Sequence, residues 1–227
     1  FVDIKFIIEH QGVLHVGTDN GMFAWEERSW KRKMQGITMR KAANIGDALL
    51  IGAREGLYVY QKGEITKLGR GSAHVITTSE RYKNLAYVYY AGRGIDVVKQ
   101  TNDGSYTSYP LVEFTEPIYT LTEDENGDLW RGTGNWGIYR ARLEDQEGQP
   151  KLKETLHYTE EDGLPAASYN YTTKIAGKVG FITEEGTFRF DDEQQRIVRD
   201  MRLVEAFPPE NGRRAWPTRE DKLGHVW

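Results

Sequence analysis

Asp128-Leu129-Trp130-Arg131-Gly132-Thr133-Gly134-Asn135-Trp136-Gly137-Ile138-Tyr139 reads as an apolar strand, a Gly-Thr step, a polar turn, a glycine and a second apolar strand. The same order recurs upstream. Val13 to Phe23 carries Gly17-Thr18 and then Asp19-Asn20-Gly21. Ala48 to Tyr58 carries Gly52-Ala53 and then Arg54-Glu55-Gly56. Weaker copies run from Ala86 to Asp96, with Gly94-Ile95, and from Val179 to Phe188, with Gly186-Thr187. The turn glycines at 21, 56, 94, 137 and 186 lie 35, 38, 43 and 49 residues apart. A period near 40 with strand signals in every copy is the sequence signature of a β-propeller.

Two further strands complete each unit. An apolar one, such as Ile118 to Thr122, precedes the hairpin, and a more polar one, such as Glu154 to Tyr158, follows it. Four strands make a blade, and one blade cannot bury both of its faces alone, so stacked neighbours supply the core. The predicted fold is therefore all-β: a β-propeller of about five four-stranded blades, over 1–34, 35–69, 70–112, 113–160 and 161–205. The start of a sixth is expected over 206–227, where Asp221, Gly224 and Trp227 repeat the spacing of Asp124, Gly127 and Trp130. The chain stops inside the second strand of that unit, which would leave a sheet edge open. The segment is accordingly expected to belong to a larger propeller, of seven blades or more.

Composition narrows the function. The 30 basic and 34 acidic side chains leave a net charge of −4, so no basic excess points to nucleic acid. There are no cysteines, which removes disulfides and Cys-ligated zinc. No apolar run approaches the roughly 20 residues of a membrane span, so any membrane link is expected through parts outside this segment.

Leu121-Thr122-Glu123-Asp124-Glu125-Asn126-Gly127-Asp128-Leu129-Trp130-Arg131-Gly132-Thr133, followed by Gly137-Ile138-Tyr139-Arg140, resembles the two-component regulator propeller repeat. That repeat reads roughly acidic-Asp-x-x-Gly-x-Leu-Trp-Ile-Gly-Thr, then Gly-Leu-x-Arg. His157 to Pro165, with Asp162-Gly163-Leu164-Pro165, resembles the link between its blades. The likeness is strongest in the fourth blade. Arg131 departs from it, standing where the family prefers Ile. So do Gly180-Phe181 in the fifth blade and Tyr87 to Gly92 in the third. The resemblance implies the periplasmic, extracytoplasmic sensor region of a membrane protein, followed by a small β-sandwich, a membrane helix and a signalling output, often a histidine kinase. It also implies carbohydrate fragments as ligands.

In a propeller, the turns between second and third strands open on the same face as the links between blades. Asp19-Asn20, Arg54-Glu55, Arg93, Asn135-Trp136 and Glu184-Glu185 stand in those turns. The links fall around 36–40, 69–73, 110–116, 160–171 and 206–216. Exposed aromatics beside Asn and Arg suit a sugar or another small polar ligand. The candidate ligand-binding residues are Arg54, Arg93, Arg131, Asn135, Trp136, Tyr169, Asn170, Tyr171 and Trp216. Packing against a neighbouring blade is the alternative for each aromatic. For Arg131 the alternative is a structural ion pair.

Other chemistries find little support. Asp124-Glu125-Asn126-Gly127-Asp128 has the look of a calcium loop, but Leu129 stands where that loop needs Gly, and the repeat explains the stretch as a turn. The histidines at 10, 15, 74, 157 and 225 share no metal-ligand spacing, and no Gly-x-Ser-x-Gly elbow occurs. No catalytic residue, metal or cofactor is expected. The leading expectation is a sensor propeller that binds a small molecule or oligosaccharide. A polysaccharide lyase or glycosidase would need converging carboxylates or a Tyr-His pair. An interaction propeller, including a homodimer joined along one face, would need a broad apolar patch.

Overall fold

The structure is a computed structural model that describes residues 3–175 and 177–201. It is all-β, with five four-stranded antiparallel sheets in simple chain order. The first holds β1 (Ile4–His10), β2 (Val13–Thr18), β3 (Gly21–Glu26) and β4 (Ser29–Gln35). The second holds β5 (Met39–Ile45), β6 (Ala48–Ala53), β7 (Gly56–Gln61) and β8 (Glu64–Arg70). The third holds β9 (Ala73–Thr78), β10 (Leu85–Tyr90), β11 (Gly94–Gln100) and β12 (Tyr106–Glu113). The fourth holds β13 (Ile118–Glu123), β14 (Leu129–Thr133), β15 (Ile138–Gln146) and β16 (Gln149–Tyr158). The fifth holds β17 (Tyr171–Ile175), β18 (Lys178–Thr183), β19 (Gly186–Asp191) and β20 (Arg196–Arg199). These sheets are the blades of a β-propeller. The sixth unit expected over 206–227 lies outside the described residues.

The chain divides into two compact units, Phe1–Thr115 and Glu116–Trp227, which hold three and two blades among the described residues. In the first unit β1 packs on β5 and β5 on β9. In the second β13 packs on β17. Every residue of β6 is buried, because the second strand of the second blade has a blade on each face. The fourth strands lie outermost and carry the polar residues, as Lys31, Arg32 and Glu64 show. Leu50, Val59, Ile76 and Val88 fill the seam between blades two and three. Met22, Met39, Leu49 and Ile51 fill the one before it. In the second unit Trp130, Phe181, Phe188 and Ile197 do the same. Each such side chain contributes roughly 1.5–3 kcal/mol by leaving water.

The Gly-Thr step has a physical reason at each residue. The glycine lets the next blade approach. A Cβ on Gly132 would lie 2.5 Å from the carbonyl oxygen of Asn170 and 2.9 Å from Cα of Tyr171. One on Gly52 would lie 2.8 Å from the carbonyl oxygen of Ala73. The threonine closes the turn. Thr133 Oγ1 donates to the carbonyl of Gly137 at 2.7 Å and accepts from the amide of Trp136 at 3.0 Å. Thr18 and Thr183 repeat both bonds in the first and fifth blades.

Candidate functional site

Backbone hydrogen bonds place the turns beside the links. The amide of Arg54 donates to Thr38, and the amide of Gly36 to Asn20. In the second unit the amides of Tyr169 and Asn170 donate to the carbonyls of Gly134 and Thr133, at 2.6 and 3.1 Å. That of Gly137 donates to Ala167 at 2.8 Å. The link around 166–170 is thus laced to the turn 133–137 by main chain. Tyr169 takes the left-handed conformation there, with φ 54°.

This lacing gathers aromatic side chains. Tyr119 is 51% exposed, and Trp136 and Tyr169 are each 43% exposed. The Tyr119 ring lies against Gly134, where a Cβ would fall 2.9 Å from its Cε2. The same ring meets that of Tyr171 at 5.7 Å between centroids. Trp136 is held through its backbone, its carbonyl accepting a 2.7 Å bond from Nε2 of His157. His157 in turn stacks on Tyr139 at 4.2 Å and 6°. Asn135 is exposed on the same turn. Tyr119, Trp136, Tyr169 and Tyr171 therefore share one anchor, the turn around Gly134.

The other candidates fare differently. Asn170 is fully buried, and its side chain donates to the carbonyl of Ala166 at 2.9 Å, so it shapes the link. Arg131 is 3% exposed, with its guanidinium 4.5 Å from the Tyr139 ring centroid. Burial raises the Tyr139 pKa, the charge of Glu116 adds to the rise, and Arg131 opposes it. In the first unit Arg54 is exposed. Arg93 lies 3.9 Å over the Tyr90 ring and bonds Asp96 at 2.5 Å. Trp216 lies outside the described residues. Tyr119 was not among the candidates. It is the extra residue of a bulge, unpaired between Ile118↔Thr133 and Thr120↔Gly132, and strand alternation carries no sign of that.

The far end of β14 has a different character. Asp124 Oδ1 accepts from the amides of Asn126 and Asp128, and Oδ2 from the Trp130 indole at 2.8 Å. Arg140 bonds Asp128 at 2.9 Å and Asp124 at 3.3 Å, with its guanidinium 4.9 Å from the Trp130 ring centroid. The acidic stretch that resembles a calcium loop is a capped turn whose carboxylates serve Arg140, Trp130 and the backbone. No group of metal-ligating side chains occurs among the described residues.

The fold and this surface define a β-propeller protein with an exposed aromatic patch on its turn-and-link face. No family model matches the chain, and no curated protein matches it significantly. Among solved structures it is similar to the extracellular domain of a hybrid two component system from B. thetaiotaomicron. The TM-score is 0.70 at 16% identity, covering 99% of this chain and 32% of that one. It is also similar to the extracellular domain of a one component system from the same organism, with TM-score 0.63, 20% identity and 99% and 31% coverage. A streptogramin B lyase matches with TM-score 0.62 and 14% identity, over 99% and 75% of the two chains. The chain spans about a third of the two extracellular domains. At these identities the likeness establishes the propeller fold. No helix among the described residues is long and apolar enough to cross a membrane.

Proposed function

We propose that the chain is part of the extracytoplasmic, periplasmic sensor propeller of a signal-transduction protein. It recognises a carbohydrate on the turn-and-link surface of blades four and five. The observation that carries this reading is the exposure of Tyr119, Trp136 and Tyr169 around one turn. Exposed aromatics normally find cover, and here the backbone lacing holds them open. Flat rings with Asn135 beside them offer stacking for the C–H faces of a sugar and a polar group for its hydroxyls. Similarity in fold to the extracellular domains of one- and two-component systems supports the sensor reading.

Lyase or glycosidase chemistry would need converging carboxylates or a Tyr-His pair free to act. Two of the buried carboxylates of blade four, Asp124 and Asp128, sit at the other end of β14 and are engaged by Arg140. The Tyr139–His157 pair is a stacked support beneath Trp136.

The test is a thermal-shift and tryptophan-fluorescence screen of neutral oligosaccharides on the wild type, on Trp136→Ala and on Tyr119→Ala. A saturable shift, weakened about tenfold or more by either substitution with an unchanged melting temperature, is expected for a stacking platform. Shifts of equal size in all three proteins, or no saturable shift with any sugar, would remove this surface as the carbohydrate site.

A further inference from the structure

The innermost strands of the first three blades share a defect. Lys5 is left out of the ladder between Ile4↔Thr18 and Phe6↔Gly17. Arg40 is left out between Met39↔Ala53 and Lys41↔Gly52. His74 is left out between Ala73↔Tyr90 and Val75↔Tyr89. A bulge of this kind redirects one side chain out of the alternation of its strand. In all three blades the redirected residue is a base. Lys5 pairs with Asp3.

Arg40 is half-buried, and its Nε is shut off from solvent with no hydrogen-bond partner among the described residues. No described residue forms an ion pair with it, and its charge acts on His74. His74 is anchored through Nε2 to Ser72 Oγ at 2.8 Å. Its ring meets Tyr89 edge-on, with 6.3 Å between centroids. With Nε shut off, the terminal nitrogens of the Arg40 guanidinium are the donors open to a ligand, and the partner that suits them best is a planar or tetrahedral group of anionic oxygens.

We propose that Arg40 and His74 form an oxyanion-binding site on β5 and β9. Arg40 supplies the fork, and His74 supplies a second donor once protonated. Ser72 orients the imidazole. The occupant is an oxyanion, either a free inorganic one or the acidic group of a sugar acid. The site lies in the first unit and is independent of the aromatic surface.

Burial holds His74 below its ordinary pKa, and the charge of Arg40 lowers it further. From β5 it is faced by Arg40 and from β10 by Tyr89, while β6 carries no ionisable side chain. An anion favours the protonated imidazole, so binding draws a proton onto His74 and strengthens as pH falls.

The experiment is calorimetric titration with sodium sulfate, glucuronate and glucose at about pH 5.5 and about pH 7.5, with the His74 imidazole followed by NMR. The expected result has four parts. Sulfate or glucuronate binds saturably and glucose does not. Binding is tighter at the lower pH. The His74 titration moves up in the presence of the anion. Arg40→Gln weakens binding about tenfold or more, while Arg40→Lys weakens it less. Binding of sulfate alone assigns the site to free oxyanions, and binding of glucuronate alone assigns it to sugar acids. Glucose binding as tightly as glucuronate, no saturable anion binding, or a His74 titration indifferent to the anion overturns the proposal. The NMR readout uses the wild type, so the outcome does not hinge on the folding of a variant.

Discussion

His15 in the first blade and Trp130 in the fourth stand at the same place, two residues before the glycine of the step and paired across the second and third strands. Tyr60 and Phe190 stand at matching places in the blades that follow, four residues past their turn glycines. The two seams use different chemistry there. Trp130 sits against Phe181 and Phe190, with Arg140, Asp124 and Asp128 locked around it. His15 sits edge-on to Tyr60 at 5.4 Å and to His10 at 6.0 Å, and His10 bonds Asn44 at 2.7 Å. One seam is closed by two carboxylates gathered on one guanidinium. The other is closed by three rings, two of them buried imidazoles. A seam position is thus a shape to be filled, and its charge is free to vary when partners vary with it.

The strongest way to break the comparison is Arg140→Ala. It leaves Asp124 buried without a cation and Asp128 with only the more distant Arg142, 3.9 Å away, and a loss of about 3–5 kcal/mol is expected. Urea denaturation should place its midpoint well below that of the wild type. A midpoint equal to the wild type's would mean that the ionic network contributes nothing to the seam.

Gly132→Ala comes next. Its Cβ would meet two backbone atoms of the fifth blade within 3 Å, with about 1–3 kcal/mol expected for the overpacking. Gly52→Ala meets one backbone oxygen at 2.8 Å and should cost less. The order of the two melting temperatures checks this, and a reversed order would show that seam width is not what the step sets.

The smallest effect is the pH dependence that the histidine seam adds. Burial lowers the pKa of His15 below its ordinary 6.5. Between the two values the unfolded chain binds more protons than the folded one. The contribution is therefore full above about pH 6.5 and is lost as pH falls through the folded pKa. Urea midpoints measured stepwise from neutral to mildly acid pH should decline, and His15→Phe should flatten that decline. Part of the slope should persist, because burial lowers His74 as well. Identical slopes for the wild type and the variant would assign the acid sensitivity elsewhere.

Much of the fold is legible because the blade is a local object. In the first four blades the hairpin needs a glycine where the fourth strand's carbonyl crowds the turn, as Met34 crowds Gly21 and Tyr158 crowds Gly137. Trp130 and Asp124 announce themselves through fixed spacing, since the indole and the turn amides need one carboxylate at one distance. The site is less legible. Asn135, Trp136, Tyr169 and Tyr171 can be picked out as polar and aromatic residues in turns and links. Asn170 and Arg131 can be picked out the same way, yet both are buried.

By itself, then, the amino-acid sequence determined the repeat, the blade and the residues that hold each turn, because these depend on contacts within one unit of about 40 residues. Tertiary structure alone decided which side chains leave the alternation of their strands. Tyr119, Arg40 and His74 owe their positions to bulges in ladders whose register depends on the neighbouring strand. A one-residue shift in pairing reverses the face of a side chain without changing a letter of the sequence.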